Sequence, residues 1–323
     1  QPPIPDHPHW DRDGVHEIYR SWRQVADGYD EKRIFVAEAW VDSEAERLAL
    51  YLRPDELHTA FNFDFLQAAW DATQLHQTID ASLASFADVG APTTWVLSNH
   101  DVVRHLTRFG RAPEDLRKPA GEAPTDLDLG RRRARAAALL VLALPGGAYI
   151  YQGEELGLPE VEDLPTDVLQ DPIWERSGHK TRGRDGCRVP LPWSAEPPAL
   201  GFGTAPPWLP QPDDWAGLSV EAESGDPTSM LELYRSALAL RKATPELGDG
   251  RLVWRTTTND VLAFDRDGVG GTAHSAESGT VTCVVNFGPR PVELPPHQEV
   301  LLTSGPLQDG RLPTDTTAWL RLR

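Results

Sequence analysis

The sequence predicts an α/β protein whose first part is a mostly parallel sheet and whose last part is a small antiparallel β-sandwich. The first expectation rests on short apolar β-type runs that alternate with stretches of helical periodicity. The second rests on a change of texture after Gly248-Asp249-Gly250, where short β-type runs follow one another between Gly, Pro, Asp and Asn turns. Four strand–helix units can be counted before that change. Their number leaves open a small open sheet or half of a (β/α)8 barrel, which needs eight.

Residues 1–13 are rich in Pro, Asp and His and read as loop. From Gly14 to Tyr29 the apolar positions Val15, Ile18, Tyr19, Trp22, Val25 and Ala26 recur at spacings of three and four, which predicts an amphipathic helix. Ile34-Phe35-Val36-Ala37 reads as a strand ending in Glu38. Ser43 to Leu52 reads as helix, and Ala60 to Phe65 as a short run leading into helical sequence. Leu75 to Val89 is helical in pattern and is closed by Gly90-Ala91-Pro92. A strand over 93–98 then ends abruptly in Asn99-His100-Asp101. A charged loop at 111–128 precedes a helix from Leu129 to Leu144, which Pro145-Gly146-Gly147 terminates before the strand Ala148 to Tyr151. Residues 158–217 form a long Pro/Trp-rich loop, and a loop of that length in a compact domain is functional or disordered. Its aromatics argue against disorder. Ser229 to Lys242 reads as helix. Strands are then predicted at 252–257, 261–264, 280–287, 292–294, 300–302 and 318–322. The expected domains are 1–246, holding the α/β part with its long loop, and 247–323, the C-terminal sandwich.

The chain of 323 residues carries 31 Lys+Arg against 49 Asp+Glu, a net charge of −18. Such a charge repels phosphate backbones and anionic lipid surfaces, so neither nucleic acid nor a membrane is an expected partner. No run approaches the ~20 apolar residues of a membrane span. Cys187 and Cys283 lie far apart without metal-ligand spacing, which favours a reducing, cytoplasmic setting over a disulfide or zinc framework. The 11 Trp offer aromatic faces suited to sugar rings, although most Trp serve cores and interfaces. The opening Gln-Pro-Pro-Ile-Pro, without Met, leads to the expectation of a chain that starts within a domain.

Glu38 and Asp101 each stand at the carboxyl end of a predicted parallel strand, where α/β proteins meet their substrates. Glycosidic hydrolysis wants one carboxylic acid to protonate the leaving oxygen and carboxylate charge near the developing oxocarbenium ion. A single strand-end acid more commonly caps the next element or binds an arginine, so the pairing alone does not decide. His100 could donate to a substrate hydroxyl or be a satisfied core histidine. Asn99 could orient its neighbours or close a turn. Arg104 and Arg108 could pair with carboxylates near a pocket or lie on a solvated face, and Glu154 and Glu155 read as structural.

Five segments taken in order carry a family resemblance. They are Phe35 to Trp40, Phe61 to Phe65, Trp95 to Asp101 with Arg104 and Arg108-Phe109-Gly110, Gly147 to Gly157, and Arg184-Asp185-Gly186-Cys187-Arg188 running on to Trp193. Together they resemble glycoside hydrolase family 13, the α-amylase family, and are most similar to its α-glucosidases and oligo-1,6-glucosidases. The resemblance implies a retaining (β/α)8 barrel, here its strands five to eight, followed by the β-sandwich. It implies that Glu38 is the general acid/base and Asp101 the carboxylate that holds sugar hydroxyls. It also implies that His100 binds substrate and that Arg184 helps hold the non-reducing terminal glucose.

The family's nucleophile is an Asp with an Arg two residues before it, and no such motif precedes Glu38. A retaining mechanism needs that nucleophile about 5–5.5 Å from the acid, so this chain alone is expected to be inactive. The expected partners are an α-glucoside oligosaccharide substrate and a missing N-terminal half barrel. No cofactor is expected in this chain, and a calcium site, if the protein has one, would lie in that half. Two alternatives are a transglycosylating or isomerising relative, such as a trehalose synthase, and a non-catalytic α-glucosidase-like protein-binding subunit.

Overall fold

The computed structural model of the protein describes residues 8–41, 45–248, 250–255, 258, 260–268 and 279–322. Residues 1–7 of the predicted leading loop, Ser43 and Glu44 of the predicted second helix, and Thr256 and Thr257 of a predicted strand lie outside the described residues. The chain divides into two compact units, one of residues 1–96 and 145–149 and the other of residues 97–144 and 150–323.

The first unit contains helices α1 (Gly14–Asp27), α2 (Ala45–Ala49), α3 (Phe63–Gln67) and α4 (Ala72–Val89). Its strands are β1 (Val36–Ala37), β2 (Thr59–Ala60), β3 (Thr94–Val96) and β4 (Gly147–Tyr149). As the alternation requires, the strands run parallel, with Val36 opposite Thr59 in one pair and Thr94 opposite Gly147 in the other. The Thr94 hydroxyl donates to the Ala60 carbonyl and so links β3 to the end of β2. Helix α4 begins where the Asp71 carboxylate accepts from the Gln74 N–H at 2.8 Å, and ends at Gly90 in the left-handed conformation that glycine adopts without strain. It buries Leu75, Ile79, Ser82 and Phe86, the i, i+3, i+4 face the sequence pattern marks out. Asn62 ties α3 to it: its carbonyl oxygen caps Phe65 N–H and its amide donates to Ser82 Oγ at 2.9 Å.

Helix α1 departs from the predicted face. Ala26 is buried and Val15 and Tyr19 are packed inward, but Ile18, Trp22 and Val25 are 50–65% exposed. Charge holds the helix instead. The fully buried Glu56 carboxylate accepts from His16 at 2.6 Å, from Arg20 at 2.9 Å and from Arg53 at 2.8 Å.

The second unit contains α5 (His105–Phe109), α6 (Leu127–Ala143), α7 (Pro172–Arg176), α8 (Val220–Glu223) and α9 (Met230–Ala243), then the strands β5 (Arg251–Trp254), β6 (Val261–Asp267), β7 (Val281–Asn286), β8 (Glu299–Thr303) and β9 (Thr316–Arg321). Helix α5 lies against α6 at Gly130, where a Cβ would stand 2.2 Å from the Leu106 carbonyl oxygen, so only glycine permits the approach. The long loop is ordered around an apolar cluster of its own, including Leu158, Val161, Leu164, Val189, Leu191, Leu209 and Trp215. That burial stabilises it with little regular structure beyond α7 and short 3-10 turns.

The five C-terminal strands form one antiparallel sheet in the order β5-β6-β7-β9-β8. Alternation along β9 sends Thr317 and Trp319 to α6, where they donate to the Ala136 and Leu139 carbonyls at 2.8 and 3.0 Å. Ala318 and Leu320 point to the opposite face, into a cluster with Leu312, Val292 and Leu294. Arg266 and Arg241 complete the end of α6 by donating to the carbonyls of Ala143, Leu142 and Leu144. The predicted strand at 292–294 is reduced to a bridge between Val292 and Leu312. Pro291, Pro295 and Pro296 deny it the N–H groups a ladder needs.

Candidate active site

Each predicted site residue belongs to one of the two units. Glu38 lies in the first, exposed, immediately beyond β1. Two residues on, the Trp40 ring stacks on Phe63 with centroids 3.9 Å apart and planes within 8°. Phe61 lies 4.6 Å from the Tyr149 ring at the end of β4. The carboxyl ends of these parallel strands therefore present aromatic faces together with an acid.

In the second unit the chain beyond β3 turns sharply, because the Asn99 side-chain oxygen accepts from the Asp101 N–H at 2.8 Å. Asn99 thus closes a turn and orients the carboxylate at once. Asp101 Oδ1 accepts from Arg184 Nη1 at 2.7 Å and from Arg188 Nη2 at 3.2 Å, and His100 Nε2 lies 3.5 Å from the same oxygen. Arg188 Nε also donates to the His100 carbonyl at 3.0 Å. His100 is exposed rather than a core histidine, and Asp101 is half-buried. The structure therefore brings His100, Asp101 and Arg184 together and adds Arg188. Such a cluster can accept hydroxyl protons, donate to hydroxyl oxygens and hold an electrically balanced polar ligand.

Arg184 is held from behind. Its Nε donates to Asp171 Oδ2 at 2.5 Å, and this bond, more than any other contact, keeps the guanidinium more firmly protonated than usual. Burial pushes the Asp171 carboxyl up, but the bonds from Arg184 and from the Ile173 and Arg184 N–H groups outweigh it and leave the carboxyl below its ordinary range.

Arg104 and Arg108 occupy neither of the positions expected for them. Both are buried and both serve backbone carbonyls. Arg104 donates to the carbonyls of Gln152 at 2.7 Å and Cys187 at 2.9 Å, and Arg108 to those of Leu97 at 2.6 Å and Val103 at 2.9 Å. Burial lowers Arg108 to about 10. These bonds fix the two ends of the turn that carries His100 and Asp101. Beneath it, Ser98 Oγ meets His105 Nδ1 at 2.8 Å, and burial, aided by Arg108 and Arg104, lowers His105 to about 3, so it stays neutral. Glu154 and Glu155 are structural, as the sequence indicates: Glu154 accepts from the Tyr234 hydroxyl at 3.0 Å and Glu155 from the Gly153 N–H at 2.7 Å.

Sequence reasoning missed Arg188 and Asp171 as site-building residues. The available signal for Arg188 was its spacing from Arg184 across the tight Asp185-Gly186-Cys187 turn, which sends both guanidiniums to one carboxylate. For Asp171 no local signal exists, since its partner lies 13 residues away in the loop.

Parallel strands with polar carboxyl ends, followed by a five-stranded antiparallel sheet, define an α-amylase-like fold with a C-terminal β domain. Residues 4–250 match the alpha amylase catalytic domain, and residues 247–319 match a domain of unknown function, DUF3459. The chain belongs to the alpha-amylase family, glycoside hydrolase family 13. It is 36% identical over 212 residues to the probable alpha-glucosidase of Rhizobium meliloti (strain 1021), covering 66% of this chain and 35% of that protein. It is 28% identical over 272 residues to maltase A1 of Drosophila melanogaster, covering 79% and 42% of the two chains. The crystal structure of the alpha-glucosyl transfer enzyme XgtA superposes with a TM-score of 0.77 at 28% identity, covering 97% of this chain and 55% of that one. The chain thus spans less than half the length of these two relatives. Among the described residues no helix is long and apolar enough to cross a membrane.

Proposed function

We propose that these residues supply the acid/base and the ring-gripping side of a retaining α-glucosidase that removes terminal α-linked glucose from short glucosides. The observation that carries this reading is the strand-end Asp101 carboxylate held by two guanidiniums beside an exposed imidazole. The names of the curated relatives, alpha-glucosidase and maltase, support it. Glu38, exposed at the end of its own strand, protonates the leaving oxygen and then, as carboxylate, takes a proton from the attacking water. Asp101 and His100 hold ring hydroxyls, and Arg184 holds the terminal glucose. The nucleophile comes from residues outside these 323, in an N-terminal half barrel. The exposed Ile18, Trp22 and Val25 of α1 support a covering segment on that unit. A cytoplasmic setting belongs to the same reading, supported by Cys187 and Cys283 as free buried thiols.

The test uses the full-length protein. Glu38→Gln should cut turnover of maltose by about 100-fold or more while sparing the first step on an activated aryl α-glucoside, whose leaving group needs little protonation. Equal loss on both substrates would remove Glu38 from the acid role. The 323-residue chain alone should be inactive and should gain activity only with the segment that carries the nucleophile. XgtA, described as an alpha-glucosyl transfer enzyme, favours a second reading in which the glucosyl group passes to a sugar rather than to water. Product analysis with maltose and with sucrose separates the two, since hydrolysis releases glucose and transfer yields new glucosides.

A further inference from the structure

The loop that carries Arg184 is organised around a buried side chain that reaches the site only through that arginine. Asp171 is buried, and both of its oxygens accept hydrogen bonds. Oδ1 accepts from the Ile173 N–H at 3.0 Å at the start of α7. Oδ2 accepts from both the Arg184 backbone N–H at 3.0 Å and Arg184 Nε at 2.5 Å. Asp171 is itself fixed, because its N–H and that of Gln170 donate to the buried Asp185 Oδ2 at 3.0 and 2.7 Å. The segments around 171 and 184 therefore interlock, each holding the other's backbone with a buried carboxylate. Gly183 makes the interlock possible. Its φ is +80°, and a Cβ there would stand 2.5 Å from Asp171 Cβ and 2.7 Å from Ile173 Cγ2.

An arginine side chain loses up to about 2 kcal/mol of rotamer freedom when it is fixed. Here the freedom is removed in advance. With the backbone N–H and Nε of Arg184 tied to one oxygen, the remaining freedom is small, and Nη1 emerges aimed at Asp101 Oδ1, 2.7 Å away. We infer that Asp171 is a positioning residue which pre-aims Arg184 at Asp101, so that the ring-gripping cluster is assembled before substrate arrives. The inference rests on the proposed α-glucosidase reading and adds to it a residue that acts only through Arg184.

The experiment compares Asp171→Asn, Asp171→Ser, Arg184→Ala and the double variant Asp171→Ser/Arg184→Ala in the full-length protein, with KM and kcat measured on an α-glucoside. A charge-assisted hydrogen bond of about 1.5–3 kcal/mol corresponds to roughly 10–150-fold. Both Asp171 variants should raise KM at least tenfold and change kcat less than about threefold, and the double variant should be no worse than Arg184→Ala within about twofold. Serine is a good N-cap, so Asp171→Ser keeps the start of α7 while it abandons Arg184. If Asp171→Ser retains wild-type KM, or if the losses multiply in the double variant, the positioning role is refuted. A crystal structure of Asp171→Ser gives a readout independent of turnover. Arg184 Nη1 should move more than about 1 Å from Asp101, and an unmoved guanidinium overturns the inference. Failure of the wild-type protein to turn over any α-glucoside would refute the proposed function, and the crystal structure would still decide the role of Asp171.

Discussion

Replacing Glu154 with Gln should change the pH dependence of stability more than its size at any one pH. Glu154 is 4% exposed, and one of its oxygens accepts from the Tyr234 hydroxyl at 3.0 Å. Burial pushes this carboxyl from 4.5 up to about 8, against the smaller opposing effect of the Tyr234 bond. Between those pH values the folded chain keeps a proton that the unfolded chain has shed, so stability falls as pH rises. The slope is about 1.4 kcal/mol per pH unit, on the order of 4 kcal/mol across the window, and the loss is complete above about pH 8. Glutamine does not titrate. The stability of Glu154→Gln relative to wild type should therefore climb by that amount between pH 5 and pH 8 and then level off. Urea unfolding followed by tryptophan fluorescence at each pH reads the difference directly. A difference between the two proteins that stays constant from pH 5 to pH 9 would mean instead that Glu154 is ionised in the folded chain and that burial does not raise its carboxyl.

Arg104→Lys should destabilise the second unit by about 3 kcal/mol, since a single ammonium nitrogen does not reproduce the fork that reaches the Gln152 carbonyl from Nη1 and the Cys187 carbonyl from Nη2. An unchanged urea midpoint would count against it. Trp319→Phe keeps most of the ring but deletes the bond to the Leu139 carbonyl, which should cost about 1–3 kcal/mol. Hydrogen exchange should accelerate in β9 and at the end of α6 together, and acceleration confined to β9 would contradict the coupling.

The parts of the fold that could be read in advance are those fixed by near neighbours. Helix α4 announces itself from Leu75 onward through its helical pattern and its stop at Gly90, whereas its start at Ala72 behind the Asp71 cap is not marked by that pattern. The carboxyl end of β3 is legible because the run 93–98 stops at Asn99-His100-Asp101. Strands β1 to β4 are shorter than their apolar runs, because pairing partners fix the length of a ladder and a single run does not reveal them. Helix α1 shows the limit of periodicity. The pattern marks a stripe, but the buried Glu56 and its partners His16, Arg20 and Arg53, set apart in sequence, decide which side packs. At the candidate site, Asp101, His100 and Arg184 could be named, whereas Asp171 could not. Its function arises from where two loop segments cross, which neither segment encodes alone. Arg104 and Arg108 were misplaced for a related reason: an arginine that serves buried carbonyls looks, in a sequence, like one that serves solvent.

The bonds that close the end of α6 also set a timetable for synthesis. The carbonyl of Leu139 is answered by Trp319, 180 residues later, and that of Ala143 by Arg266, 123 residues later. At ribosomal speeds of roughly 5–20 residues per second, the first of these waits about 10–40 s after the helix has been made. During that interval the C-terminal end of α6 is a nascent surface with open acceptors and uncovered leucines. Arg241 of α9, made before β9, supplies the first of the closing bonds, to the Leu142 carbonyl.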